Sequence, residues 1–155
     1  MNEIKKILVP IDFSDYSKSS LRYSVDFALN FNASLHLVYV IEPAIYPADF
    51  SMGQISVPAI EVETTEKAQE ELSRLASEII ADKLDSTTEI RTGRPFIEII
   101  ECASEQNSDL IIIATHGHTG VEHLLFGSTA EKVVRKAPCP VLTLREPIKG
   151  FKFNG

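Results

Sequence analysis

The chain has 155 residues, of which 44% are hydrophobic and 24% charged, a composition that suits one globular domain and leaves no room for a second of full size. A chain of this length has room to bury roughly 68–70% of its unfolded surface, and its composition excludes intrinsic disorder, a collagen-like chain and a disulfide-stapled miniprotein. The 15 Lys and Arg against 22 Asp and Glu, a formal net charge of -7, include no basic cluster, so nucleic-acid binding through the phosphate backbone is not expected.

The chain opens MNEIKKILVPIDFSD, with an apolar run from Ile7 to Ile11 that is interrupted by Pro10 and followed at once by Asp12. The run is too short for the apolar region of a signal peptide, and no stretch approaches the roughly 20 apolar residues of a membrane span. A soluble cytoplasmic protein with no membrane partner is the expectation. Lys6 to Ile11 (KILVPI) reads as a first strand, and Leu21, Val25, Ala28 and Leu29 then mark one face of a helix. Ser34 to Val40 (SLHLVYV) is the second strand. Glu42 to Pro58, with Pro43, Pro47, Gly53 and Pro58, is longer than compact-domain connections usually are and reads as an insertion rather than a lid or partner-binding loop.

A long second helix carries Ala68, Leu72, Leu75, Ala76, Ile79 and Ile80 on its apolar face. Thr87 to Arg91 (TTEIR) is a more polar strand, suited to a sheet edge. Gly93-Arg94-Pro95 leads into a helix over Phe96 to Ala103, the proline fitting its first turn. Asp109 to Ala114 (DLIIIA) is the fourth strand, and Ser128 caps a last helix carrying Val133 and Val134, which stops before Pro138. Lys132, Arg135 and Lys136 suit the carboxyl half of that helix, where the dipole favours cations. Pro140 to Leu144 (PVLTL) is the fifth strand.

Strands one, two, four and five are short, β-branched and nearly continuous in apolar character, as in strands covered on both faces. Alternation of strand and helix with right-handed crossovers predicts an α/β, doubly wound, Rossmann-like domain with a five-stranded parallel sheet and helices on both faces. Such sheets bind ligands beyond the carboxyl ends of their strands, where strand order reverses. In a 3-2-1-4-5 order, the segments after strands one and four face one crevice. The first is Pro10-Ile11-Asp12-Phe13-Ser14-Asp15. The second runs from Ala114 through His116 and Gly117 to Gly127-Ser128-Thr129, where small residues and a helix N-terminus offer backbone N–H groups to an anion. A phosphate fits that end, and Asp12 across the crevice suits ribose hydroxyls, although it can equally cap helix one at Ser14 and Asp15.

At these residues the chain resembles the universal stress protein family. Ile7 to Ser14 reads ILVPIDFS, a start of the family's ILVPxDxS type. The family's G-x-x-G-x9-G-[S/T] signature appears as Ala114-x-x-Gly117, nine residues, then Gly127-Ser128. Gly93-Arg94-Pro95 and Ala137-Pro138-Cys139-Pro140-Val141-Leu142 extend the likeness to strand five. The resemblance implies one family domain over residues 1–146 with a tail over 147–155. It further implies adenosine near Pro10, Ile11, Asp12 and Val40, phosphates on Gly117, Gly127, Ser128 and Thr129, and Ile113, Ala114 and His116 alongside. The implied cofactor is ATP, with ADP and AMP as alternatives and Mg²⁺ held mainly through the phosphates. Ala114 departs from the pattern, and its methyl group matters only if backbone and ligand touch there.

Other chemistries find less support. His116, His118 and His123 share a window but lack further ligands at zinc spacing, so no metal is expected from them. His116-Gly117-His118 resembles an HxGH motif, but it follows strand four rather than strand one. Walker, Rossmann and G-x-S-x-G patterns are absent, and phosphoryl transfer has only Asp12 and His116 to draw on. Cys102 and Cys139 lack partners at metal-ligand spacing, which suits a reducing compartment. Cys102 is expected to be buried and inert. The expectation is a nucleotide-binding stress or signalling module without a catalytic residue; the resemblance implies a homodimer through the last strand, and PVLTL is an apolar edge that would need covering. A nucleotide-independent interaction protein is the alternative, and a slow ATP hydrolase the third.

Overall fold

The computed structural model describes residues 3–43, 57–116 and 126–145, and for residues 57–63 the backbone alone. In chain order the elements are β1 (Lys6–Ile11), α1 (Asp15–Phe31), β2 (Ser34–Ile41), α2 (Val57–Ile79), β3 (Ser86–Thr92), α3 (Pro95–Glu105), β4 (Leu110–Ala114), α4 (Ser128–Lys136) and β5 (Val141–Leu144). The five strands form one sheet in the order β3-β2-β1-β4-β5, all pairs parallel. This is the expected order, with the polar strand β3 at an edge.

Alternation along the strands divides the core. Ile7, Val9 and Ile11 of β1 and Leu35 and Leu37 of β2 face Leu21, Val25 and Ala28 of α1 and Leu72 and Leu75 of α2. Leu8, Val38, Ile111 and Ile113 face Ile99 and Cys102 of α3 and Ala130 and Val133 of α4. A strand buried from both sides takes apolar residues at both phases of its period of two, which is why β1 and β4 read as continuous apolar runs and β2 does so apart from the buried His36. Buried Ser17, Ser20 and Ser24 let α1 lie close on the sheet, and Ser24 Oγ returns its hydrogen bond to the Ser20 carbonyl at 2.8 Å.

Several boundaries and faces differ from the expectation. Leu29 is 49% and Val134 45% exposed, because a step of one residue turns about 100° off the apolar stripe. Strand four begins at Leu110; Asp109 before it gives its N–H to the Lys6 carbonyl and accepts the N–H groups of Lys5 and Lys6 on its carboxylate, each at 2.9 Å. Strand five begins after Pro140, which has no N–H to give a ladder. Pro58 falls in the first turn of α2, where a proline costs no helical bond. The rest of the expected insertion between Pro43 and Val57 lies outside the described residues, as do His118, His123 and the 147–155 tail.

Candidate functional site

The site grows from the way β1 and β4 part. Their ladder holds two register pairs, Ile7↔Leu110 and Leu8↔Ile111, and stops short of Pro10, which has no N–H to extend it. Beyond that point β1 turns into α1 on one face of the sheet, while β4 leads towards α4 on the other. A cleft of about 440 Å³ opens between them, within the range of small-molecule sites. A broader depression of about 810 Å³ near Lys5, Ser34 and Ser86 lies at the opposite, amino ends of the strands, away from the ends where such sheets place their ligands.

The β1–α1 turn is sharp. Phe13 takes a left-handed backbone, φ 62, costly for a bulky residue, and its ring packs on Tyr39 at 4.8 Å between centroids. Asp12 Oδ1 accepts the Ser14 N–H at 3.0 Å and also the Ser14 hydroxyl. Ser14 is the N-cap of α1, its side chain accepting from the Ser17 N–H. Asp12 therefore braces the cap and lines the cleft at the same time, so the capping and ligand-facing readings of this residue do not compete.

At the other wall, Thr115 continues β4, its N–H bonding the Leu144 carbonyl at 2.9 Å, while its own carbonyl accepts the Gly127 N–H at 2.6 Å. That bond holds Gly127 extended, φ -68 and ψ 153, as the N-cap of α4. Two expectations are corrected by it. Ser128 is the first helical residue rather than the cap, and the Gly127 N–H is already engaged. The donors without an intrahelical acceptor are one residue further on, at Ser128, Thr129 and Ala130. Ala114 ends β4 and is not among the described residues with positive φ, so its methyl group brings no backbone strain. The His116 ring lies 5.6 Å from that of Tyr16.

Of the expected residues, Pro10, Ile11, Asp12, Val40, Ile113, Ala114, His116, Gly127 and Thr129 line the cleft. Ser128 is exposed and is not among the lining residues, and Gly117 lies outside the described residues. Unforeseen lining residues are Ser17, Tyr39, Glu42, Pro95, Ile99, Thr115 and Ala130 among others. The signal for Pro95 and Ile99 was the Gly93-Arg94-Pro95 turn, which starts α3 beside the same strand ends. Burial, and after it the carboxylates Glu71, Asp12 and Glu42, push the Tyr39 phenol above its ordinary value. The cleft thus has an acidic end near Asp12 and Glu42 and an electropositive end at the α4 N-terminus.

A doubly wound α/β domain with a bipolar cleft at its switch point is the class that fold and site define. Residues 3–145 match the universal stress protein family. The chain is 34% identical over 151 residues to universal stress protein MJ0531 of Methanocaldococcus jannaschii, covering 96% of this chain and 86% of that protein. The solved structure of MJ0577, from the same organism, superposes with a TM-score of 0.77 at 27% identity, covering 94% of this chain and 99% of that one. The Archaeoglobus fulgidus universal stress protein in complex with dAMP shares the fold at 21% identity and a TM-score of 0.64, with 92% and 98% covered. This chain belongs to the universal stress protein family. Among the described residues no helix is long and apolar enough to cross a membrane.

Proposed function

We propose that the protein binds an adenine nucleotide, ATP with Mg²⁺ first among them, in the switch-point cleft, and acts as a ligand-dependent binding module rather than a catalyst. The observation that carries this reading is the bipolarity of the cleft. The N–H groups of Ser128, Thr129 and Ala130 open one end, and Asp12 lines the other. The first suits phosphate oxygens, which a helix N-terminus receives through N–H donors and the dipole. The second suits ribose hydroxyls, which a carboxylate accepts. Val40 and Ile113 offer apolar surface to the base. A chain of net charge -7 attracts no polyanion by its overall field, so the local dipole has to do so. Mg²⁺ would be held mainly through the phosphates.

In this reading the nucleotide selects one conformation or assembly. β5 is an edge strand with apolar Val141, Leu142 and Leu144, and pairing with a second copy would cover it. The test is to purify the protein, denature it and identify any released nucleotide, then to follow thermal unfolding with Mg-ATP. Ligand at 100 times Kd raises stability by about 2.7 kcal/mol. An empty site together with an unmoved melting temperature in millimolar Mg-ATP defeats the proposal and leaves the nucleotide-independent interaction protein. Phosphate release that disappears in an Asp12 or His116 variant would identify slow hydrolysis instead.

A further inference from the structure

Away from the cleft, a polar cluster is built into the sheet face that carries α3. β2 and β3 pair so that His36 stands beside Thr87 and Val38 beside Glu89, which turns His36, Thr87 and Glu89 to one face. α3 lays Cys102 over them. Cys102 Sγ is 3.7 Å from Glu89 Oε2, and that oxygen is 2.9 Å from His36 Nε2. His36 is 5% and Cys102 0% exposed, and none of the three residues lines the cleft.

We propose that His36 Nε2, Glu89 Oε2 and Cys102 Sγ form a zinc site that ties the edge strand β3 to β2 and α3. Imidazole, carboxylate and thiolate are the ligands Zn²⁺ takes, and the three ligand atoms lie within 4.8 Å of one another. On a tetrahedron of zinc bond lengths, ligand atoms stand roughly 3.3–3.8 Å apart. The Glu89–Cys102 separation already fits, and the His36–Glu89 pair needs to open by about half an ångström.

The surroundings supply what a ligating histidine needs. His36 Nδ1 lies 2.6 Å from Thr87 Oγ1, and a hydroxyl both donates and accepts. In one tautomer Nε2–H donates to Glu89 and Nδ1 accepts from Thr87. In the other, Nδ1–H donates to Thr87 and the Nε2 lone pair is released to a metal, with the outer hydrogen bond that orients zinc-bound imidazoles. Arg91 Nε donates to Glu89 Oε1 at 2.7 Å, but this guanidinium also faces Glu98 and Glu105. Three carboxylates against one cation leave the cluster negative, so a dication is not repelled.

Binding exchanges a proton for the metal. The Cys102 thiol proton leaves to solvent as the sulfur–zinc bond forms, and no electron is transferred. Metal and proton compete for the same sulfur, so the ion is held more tightly as pH rises. Glu89, with 29% of its side chain exposed, gives the ion its way in.

The full chain, reduced and stripped with a chelator, is titrated with Co²⁺ as a spectroscopic stand-in for Zn²⁺. One equivalent produces the thiolate-to-cobalt charge-transfer band in the wild type and in Cys139→Ser, and added Zn²⁺ bleaches it. Cys102→Ser abolishes the band, and Thr87→Val lowers Zn²⁺ affinity roughly 10–100-fold in competition with a chromogenic chelator. A wild type without the band, or a band that survives Cys102→Ser, overturns the proposal. If Cys102→Ser does not fold, His36→Gln carries the same test, and an undiminished titration there overturns it equally.

Discussion

Gly127 is where the proposed phosphate end is most sensitive to volume. Its backbone, φ -68 and ψ 153, is open to any residue, so a side chain there acts by occupying space and not by straining the chain. A Cβ would stand 3.1 Å from the Thr115 carbonyl oxygen, the same oxygen that accepts the Gly127 N–H at 2.6 Å. A backbone carbonyl cannot swing aside, so the start of α4 must withdraw from β4 by a few tenths of an ångström. Gly127→Ala makes this demand, and Gly127→Val adds two methyl groups at the cleft wall. Overpacking of this kind costs about 1–3 kcal/mol of stability. A hydrogen bond to a charged group is worth about 1.5–3 kcal/mol, so displacing one of the three α4 donors weakens Mg-ATP binding roughly 10- to 150-fold. Isothermal titration with Mg-ATP, beside a melting curve for each variant, should give the order wild type, Gly127→Ala, Gly127→Val. A folded Gly127→Val protein that binds with wild-type affinity refutes the placement of the phosphates.

Four further outcomes are expected. Asp12→Ala removes the acceptor of the Ser14 N–H and should cost about 1 kcal/mol in urea unfolding as well as nucleotide affinity. Asp12→Asn keeps an acceptor, so equal stability of the two variants would contradict the bracing role. Leu37→Ala, at a position with 0% exposure, should cost about 2–5 kcal/mol, and a loss below about 1 kcal/mol would speak against its place in the core. Burial pushes the Glu89 carboxyl up, but the His36 hydrogen bond and Arg91 outweigh it and hold it below its ordinary 4.5. A carboxyl depressed in the folded state stabilises above its unfolded value and loses that increment as pH falls through the folded one. Glu89→Gln should therefore be less stable than the wild type at neutral pH, and the gap should narrow in acid; melting curves that stay parallel would count against it. Finally, a thiol-reactive disulfide should label half-buried Cys139 in the native protein and Cys102 only after unfolding. Labelling of both at one rate would show that α3 does not cover Cys102.

The acidic net charge and the α4 N-terminus act on different scales. The long-range field of the molecule is unfavourable to an anion, and screening reduces it within a Debye length. N–H dipoles at contact distance in a partly enclosed cleft are screened far less. Site and charge are thus compatible, and the affinity for a nucleotide should depend little on bulk salt.

Strand positions, order and the polar edge strand were legible because buried parallel strands leave a local mark: short β-branched runs separated by helical periodicity. Pro10, Asp12, Ala114 and Gly127 were legible as cleft residues because the ends of β1 and β4 and the start of α4 carry them. Helix faces were less so, since Leu29 and Val134 are apolar in sequence and solvent-facing in space. The donor set at α4 was one residue out, because the Thr115 carbonyl that engages Gly127 is twelve residues away along the chain and no local pattern announces it. The cluster of His36, Glu89 and Cys102 lies further from any sequence rule. Those residues come from β2, β3 and α3, and only strand register and the crossover of α3 bring them together. By itself the sequence determined the layers, their order and the two segments that meet at the switch point, since each follows from local periodicity and strand-end chemistry. Only the tertiary structure decided that the Gly127 N–H is engaged and which distant side chains touch, because both depend on contacts between elements rather than within them.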